Sequence, residues 1–403
     1  MGSPKDTVWT SERVTDLFRA LEKQYDAAVA LRHELHMEPR LSGEEGDTTT
    51  ALMEVMGFTE ELLPQGGAVL RVGDPSGPSI GMRAELDALP VEESTGVEWR
   101  STNGAMHACG HDVHMAAAVA VVRTLQQVGG PLPLTLVLQP REETVPSGAR
   151  DIALSSTFDD HDIRAFLGTH VQPNLATGCF SAAAGPVNAA ADLFEIEVRG
   201  RPGHAAYPHL TADPVVAAAD LIGTLQHLIS RQVDPTHPTV LTVGSVNGGN
   251  SPNVVPATVH MTGILRTFDE DDRVELHRSI AETTRSVADV HGCDAEVDVE
   301  LGAPVLHNDQ ELATIATHWL EHSGLGSAPP LRSCGADDFS YYCALRPSLM
   351  VFVGAESDTG DSPGLHHPDF LPPDETVPEV ARAMLACYLA ACSTIMHVPQ
   401  PDW

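Results

Sequence analysis

The chain has 403 residues, 42% of them hydrophobic, enough for two domains with substantial cores. Its 23 Lys and Arg stand against 56 Asp and Glu, a formal charge of −33 that argues against nucleic acid or an anionic membrane as partner. Seven scattered cysteines, an odd number, do not make a disulfide framework. The acidity reads as a solubilising shell. Residues 1–6 hold no apolar signal-peptide core, and the apolar run 116–122 is too short to span a bilayer. The expectation is a cytoplasmic protein, with neither an internal repeat nor a low-complexity linker.

In chain order, apolar residues at helical spacing predict one long helix over 14–35. Strands are predicted at 68–72 and 79–83, and a helix starting just after His111 with Ala116, Ala120 and Leu125 on its buried face. A short apolar strand at 134–138 ends just before Glu142-Glu143. Another, at 165–168, ends just before His170. This alternation predicts an α/β domain, a mainly parallel sheet with helices on both faces and its site at the carboxyl ends of the strands. Near Gly185 the pattern changes. The alternating run 193–199, a helix over 214–230, strands at 240–246 and 259–266, a helix over 273–290 and a strand at 295–301 give the order β-α-β-β-α-β of a ferredoxin-like module. The α/β pattern resumes with a helix over 309–322, a buried strand at 349–354 and a closing helix over 380–396. The expected organisation is a first domain over 1–187 and 302–403, interrupted by an α+β lid over 188–301. The two chain crossings favour a hinged lid.

Residues 106–114, Met-His-Ala-Cys-Gly-His-Asp-Val-His, pack a thiol and three imidazoles into one short stretch. Downstream stand Glu142-Glu143, His170 and His366-His367. Sulfur, imidazole nitrogen and carboxylate oxygen together suit a borderline divalent metal, and a spare glutamate beside a metal is the equipment of hydrolysis. Each residue also has a plainer reading. Cys109 can be a small buried hydrophobe, the glutamate pair a solvated acidic turn, His170 a structural histidine and Arg266 one half of a surface ion pair. On residue type alone, His366 and His367 are equivalent.

His-Ala-Cys-Gly-His-Asp at 107–112 is followed by Gln-Pro-x-Glu-Glu at 139–143 and Gly-x-His-Val at 168–171. Gly-His-Ala-Ala-x-Pro-His at 203–209 and Leu-His-x-Pro-x-Phe at 365–370 complete the series. In this order the chain resembles the metal-dependent aminoacylase and carboxypeptidase family. It is most similar to the amidohydrolase branch of hippurate hydrolases, N-acyl-amino-acid amidohydrolases and auxin-conjugate hydrolases. The resemblance implies Cys109, His111, Glu143, His170 and His366 as ligands of one or two divalent ions (Mn, Zn, Co or Ni), with Cys109 bridging. It implies Glu142 as general base, His204 as the group that steadies the oxyanion, and Asn253 and Arg266 as holders of a substrate carboxylate. Asp87 orients a ligand, and His107 and His114 take outer or surface roles. Thr144-Val145-Pro146-Ser147 stands where relatives often carry a glycine run, a departure that bears on the substrate; Glu85 stands for the usual aspartate and Asp337 for glutamate, swaps that keep the charge and change its reach by one methylene.

The implied reaction is hydrolysis of an N-acyl amino acid to a carboxylic acid and an amino acid, within a homodimer built through the lid. In some relatives the matching histidine reaches the partner subunit. The alternatives are a dipeptidase or carboxypeptidase of the same family, or a metal-binding protein without catalysis. Against the last stands Glu142, for which a closed structural site has no use.

Overall fold

Near-continuous apolar runs, not alternating ones, build the sheet of the first unit. The computed structural model describes residues 10–356 and 363–398; the stretch 1–6 read for a signal peptide lies outside them. The chain divides into two units: Met1–Gly185, His307–Leu331 and Tyr341–Trp403 form one, Pro186–Leu306 and Arg332–Ser340 the other.

In the first unit Ser79–Glu85, Leu134–Gln139 and Ser348–Gly354 are buried at every position. Strands of that kind belong to a sheet covered on both faces. Among the described residues the sheet has seven strands, in the order Ala68–Val72, Leu134–Gln139, Ser79–Glu85, Ile163–Gln172, Ser348–Gly354, Cys179–Ser181, Gly326–Ser327. The four from Leu134–Gln139 to Ser348–Gly354 run parallel. Ala68–Val72 and Cys179–Ser181 join antiparallel. The helix His111–Val128 is buried at almost every position of its first four turns. The helix Thr376–Met396 packs against it and against the strand Ile163–Gln172. By length and composition Thr376–Met396 passes as a membrane span, with a mean hydropathy of 1.3, but 78% of that window is buried in the unit. It is a core helix, and a longer apolar run than 116–122.

Two expectations are corrected. The opening helix is two, Ser11–Glu22 and Tyr25–Met37, broken where the polar run Glu22-Lys23-Gln24 interrupts the apolar stripe. The strand expected to stop before His170 runs on as Ile163–Gln172, because its backbone continues to pair with Ser348–Gly354; His170 sits inside it, opposite Phe352.

The longer elements of the second unit follow the order β-α-β-β-α-β, with the short strands Gly203–His204 and Val254–Val255 between them. Its four antiparallel strands lie in the order Asp294–Leu301, Ala190–Arg199, Thr258–Thr267, Thr239–Gly248. Phe194, Ile196, Val198, Val259, Met261 and Leu265 alternate along the two central strands and meet the helices Pro214–Arg231 and Glu270–Val290. Alternation of period two thus shows a sheet with one covered face. The segment Arg332–Ser340 returns to this unit, where Ser333 accepts the Ala189 N–H at 3.1 Å.

Candidate metal centre

The helix His111–Val128 opens at Gly110, whose φ of 80° is left-handed. A Cβ there would also stand 2.5 Å from Val171 Cγ2, so only glycine fits between Cys109 and His111. That turn places a thiol and an imidazole side by side at a helix amino terminus. His170 comes from the adjacent strand, and its Nε2 lies 3.5 Å from Cys109 Sγ. His366 Nε2 lies 3.6 Å from the same sulfur and 3.4 Å from Glu143 Oε1. Its backbone, itself left-handed at φ 66°, is held by a 2.8 Å bond from His366 N–H to Ala108 O. His367 turns away, and its Nδ1 accepts the Asp369 N–H. Position, not residue type, separates the two histidines.

The donor atoms of Cys109, His111 and His170 lie within 4.8 Å of one another, as do those of Cys109, Glu143 and His366, and of His111, Glu142 and Glu143. In both interior imidazoles the Nδ1–H is committed to a carbonyl. His111 donates to Asp87 O at 2.8 Å, and His170 to Val171 O at 2.7 Å. This fixes the tautomer that leaves Nε2 as a lone-pair donor. His111 Nε2 is buried with no hydrogen-bond partner among the described residues. A buried polar atom left so is costly unless something binds it. The set of thiol, imidazoles and carboxylates fits a divalent transition metal.

The charge around these donors is negative, which favours a cation among them. Burial, with Glu143 and Glu142 alongside, pushes the Cys109 thiol well above its usual range. A thiolate there needs a neighbouring cation. Burial opposes protonation of His111, but Glu85, Asp87 and Glu143 outweigh it and raise its pKa. Glu143 is held below the usual carboxylate range: burial works against this, and the bond to His366 and the charge of His111 overcome it.

Asp87 ties the pieces together. Its Oδ2 accepts from Ser42 Oγ at 2.7 Å and from the Glu143 N–H at 2.9 Å, while its carbonyl takes the His111 proton. His114 is fully buried and both its nitrogens are spent. Nδ1 donates to Glu85 Oε2 at 3.1 Å and Nε2 accepts the Val171 N–H at 3.0 Å. It supports the strand that carries His170 and has no lone pair to offer a metal. His107 is buried too, and burial pushes its pKa down to about 3. Neither is at the surface. Sequence reasoning missed Glu45, which accepts the Gly43 and Arg141 N–H groups at 2.8 Å each and so shapes the turn entering Glu142. It missed Ser42 as well.

The other three site residues belong to the second unit. His204 lies in a two-residue strand, Gly203–His204, paired with Val254–Val255; Ala205 N–H donates to Asn253 O at 3.0 Å, so His204 and Asn253 are neighbours. Arg266 is half-buried near the far end of the strand Thr258–Thr267, between Ala191 and Val240. Burial lowers its pKa, and among the described residues it has no ion pair; Asp192 is taken by Arg273 and His277. The surface ion-pair reading of Arg266 therefore has no partner to name. Asp337, in this unit too, accepts the Phe339 N–H at 2.8 Å.

The model of peptidase family M20/M25/M40 matches residues 81–390. The chain belongs to that family. An N-acetyl-L-cysteine deacetylase of Bacillus subtilis is 34% identical to it over 365 residues, 87% of this chain and 84% of the relative. An N-acetyldiaminopimelate deacetylase of Leuconostoc mesenteroides is 34% identical over 341 residues, 81% of this chain and 88% of the relative. An IAA-amino acid hydrolase of Arabidopsis thaliana is 31% identical over 388 residues, 92% and 86%. Among solved structures, the YXEP protein of Bacillus subtilis, described as a dinuclear metal binding peptidase from the M20 family, superposes with a TM-score of 0.80 at 27% identity, covering 94% of this chain and all of that one. This M20 chain is a metal-dependent amidohydrolase, in the amidohydrolase branch.

Proposed function

We propose that the protein hydrolyses the amide bond of N-acyl amino acids, releasing a carboxylic acid and an amino acid, with one or two divalent ions (Mn, Zn, Co or Ni). The observation that carries this reading is the convergence of Cys109, His111, His170, His366 and Glu143 with Glu142 beside them. An ion held by those five residues supplies Lewis-acid charge and brings the pKa of water toward about 7. Glu142, the carboxylate outside the ligand set, takes the proton of the attacking water and returns it to the leaving amine. His204 donates to the oxygen on which negative charge develops. Arg266 pairs its planar fork with the substrate carboxylate, Asn253 adds an amide contact, and the cation offsets the repulsion of a −33 protein for an anion.

His204 serves the site of a second copy. Within the unit, Thr258 and Arg266 are eight positions apart along one strand, roughly 27 Å at the usual rise, and the His204 hairpin lies beyond the Thr258 end. One substrate cannot span that length. The open edge Thr239–Gly248 carries no charged residue and suits pairing with its own copy; the opposite edge, with Asp294, Glu296, Asp298 and Glu300, repels a copy of itself. The unit then acts as a lid and a dimer contact, in a cytoplasmic enzyme.

The test is a panel of acetyl, benzoyl and longer acyl amino acids beside dipeptides, assayed on metal-loaded protein. Release of the free amino acid from acylated substrates is expected. Turnover only of substrates with a free α-amine would replace this reading with a dipeptidase.

A further inference from the structure

The Arg32 guanidinium has no exposure to solvent, and its helix supplies no ligand to the candidate centre. Burying a guanidinium is costly unless every donor is met. Here each of the three nitrogens has an acceptor, in three directions. Nε donates to Asp112 Oδ2 at 3.0 Å, Nη1 to Asp374 Oδ1 at 2.8 Å and Nη2 to Pro372 O at 2.7 Å. Trp99 lies 5.1 Å from the guanidinium carbon and excludes water from it. Asp112 is the residue after His111; Pro372 and Asp374 lie shortly after His366. One planar group thus joins the two segments that bring His111 and His366 together. A second link runs parallel. His36, one turn along the same helix, approaches Asp112 Oδ2 at 3.0 Å and Glu93 Oε2 at 3.2 Å, and Ser94 N–H donates to Pro368 O at 3.0 Å.

We propose that Arg32 is a positioning residue for the metal centre: its guanidinium braces the His111 turn against the His366 segment and so sets how tightly the centre holds its ion. The inference rests on the metal-centre reading above. The brace matters because the His366 segment is the less anchored of the two. Its histidine sits in a left-handed backbone, and the side chain is 54% exposed. Lysine keeps the charge but offers a single flexible point instead of a fork, so it cannot hold Asp112, Asp374 and the Pro372 carbonyl at once.

The test is a competition titration of apoprotein with Zn or Mn against a chromophoric chelator, on wild type, Arg32→Lys and Asp374→Asn, each with a melting curve to confirm folding. Arg32→Lys is expected to weaken metal binding by about 10- to 100-fold in folded protein, the usual cost of losing an outer support of a ligand. Asp374→Asn should give a smaller loss in the same direction. Its side chain is 42% exposed, so it decides the matter even where Arg32→Lys fails to fold. In a His366→Ala background the Arg32→Lys loss should shrink, since one braced segment no longer ligates. Folded variants that bind metal as tightly as wild type overturn the brace, as does an equal loss in both backgrounds. Wild type that binds metal but cleaves no acyl amino acid would sink the functional reading and leave the brace standing.

Discussion

In the first unit, side chains from four distant points of the chain, Cys109, Glu143, His170 and His366, approach one another at 3.4–3.6 Å. In the second, His204 lies in a hairpin beyond one end of a ten-residue strand and Arg266 lies near the other. The interior group is mostly buried, its tautomers fixed by carbonyls; His204 and Asn253 are exposed, and Arg266 is half-buried without a counter-ion among the described residues. Folding alone assembles the donors, and supporting bonds from Asp87 and Glu45 hold their backbone. The groups assigned to the substrate are instead spread along one strand and the hairpin beyond it. A preorganised centre and a distributed grip fail differently when damaged.

Chelation should separate them most. Removing metal is expected to abolish activity, with Mn, Zn, Co or Ni restoring it, checked by elemental analysis and product release. Stability should fall as well, since a ligand at one hundred times its Kd contributes about 2.7 kcal/mol to the folded state. Full activity in verified metal-free protein would remove the basis for assigning the first unit a metal centre.

Next in size are the two glutamates. Glu142→Gln keeps size and removes basicity, so metal content should hold while kcat falls by roughly two to four decades. Glu143→Gln replaces an anionic donor with a weak neutral one, so metal occupancy itself should drop and excess metal recover part of the rate. Metal content and kcat on both variants decide the assignment. Loss of metal from Glu142→Gln with retention by Glu143→Gln would reverse the roles. Retention of metal and activity by both would make the pair a solvated turn.

Arg266→Ala tests the second unit. Losing a charge-assisted fork costs about 1.5–3 kcal/mol, or one to two decades in kcat/KM, for substrates with a free carboxylate. Substrate amides should be poor for wild type and nearly indifferent to the change. Equal losses on both would show Arg266 to be structural and leave the distributed grip without its anchor.

The sequence displayed this contrast unevenly. The parallel sheet was legible because runs such as 134–138 are apolar throughout, and the second sheet because 193–199 alternates. Helix breaks and strand ends were not: the division of 14–35 turns on three polar residues, and the strand through His170 is prolonged by pairing with a segment far downstream. Motif spacing marked the candidate donors, but the network that holds them was hidden, because Arg32, His36, Glu45 and Asp112 look like surface residues. One signal was present. Ala28, Arg32, Leu35 and His36 share a helical stripe, and a charged residue on an apolar stripe must be paired where it is buried.

The last prediction concerns the roughly 27 Å between Arg266 and the end of its strand nearest His204. If His204 serves a partner's site, His204→Ala and Glu142→Gln proteins, each nearly inactive alone, should complement when mixed and allowed to exchange subunits. In the mixed dimer one site has an intact Glu142 and receives an intact His204 from the other copy; the second site lacks both. Random pairing makes half the dimers mixed, and half their sites work, so about a quarter of wild-type activity should return. Service within one chain gives no recovery, because every site then keeps one lesion. An enzyme that stays monomeric and fully active at high dilution would exclude the shared site by another route. In either case the second unit would have to bring His204 and Arg266 together by bending its own sheet, which its continuous register from Thr258 to Thr267 against Ala190–Arg199 opposes.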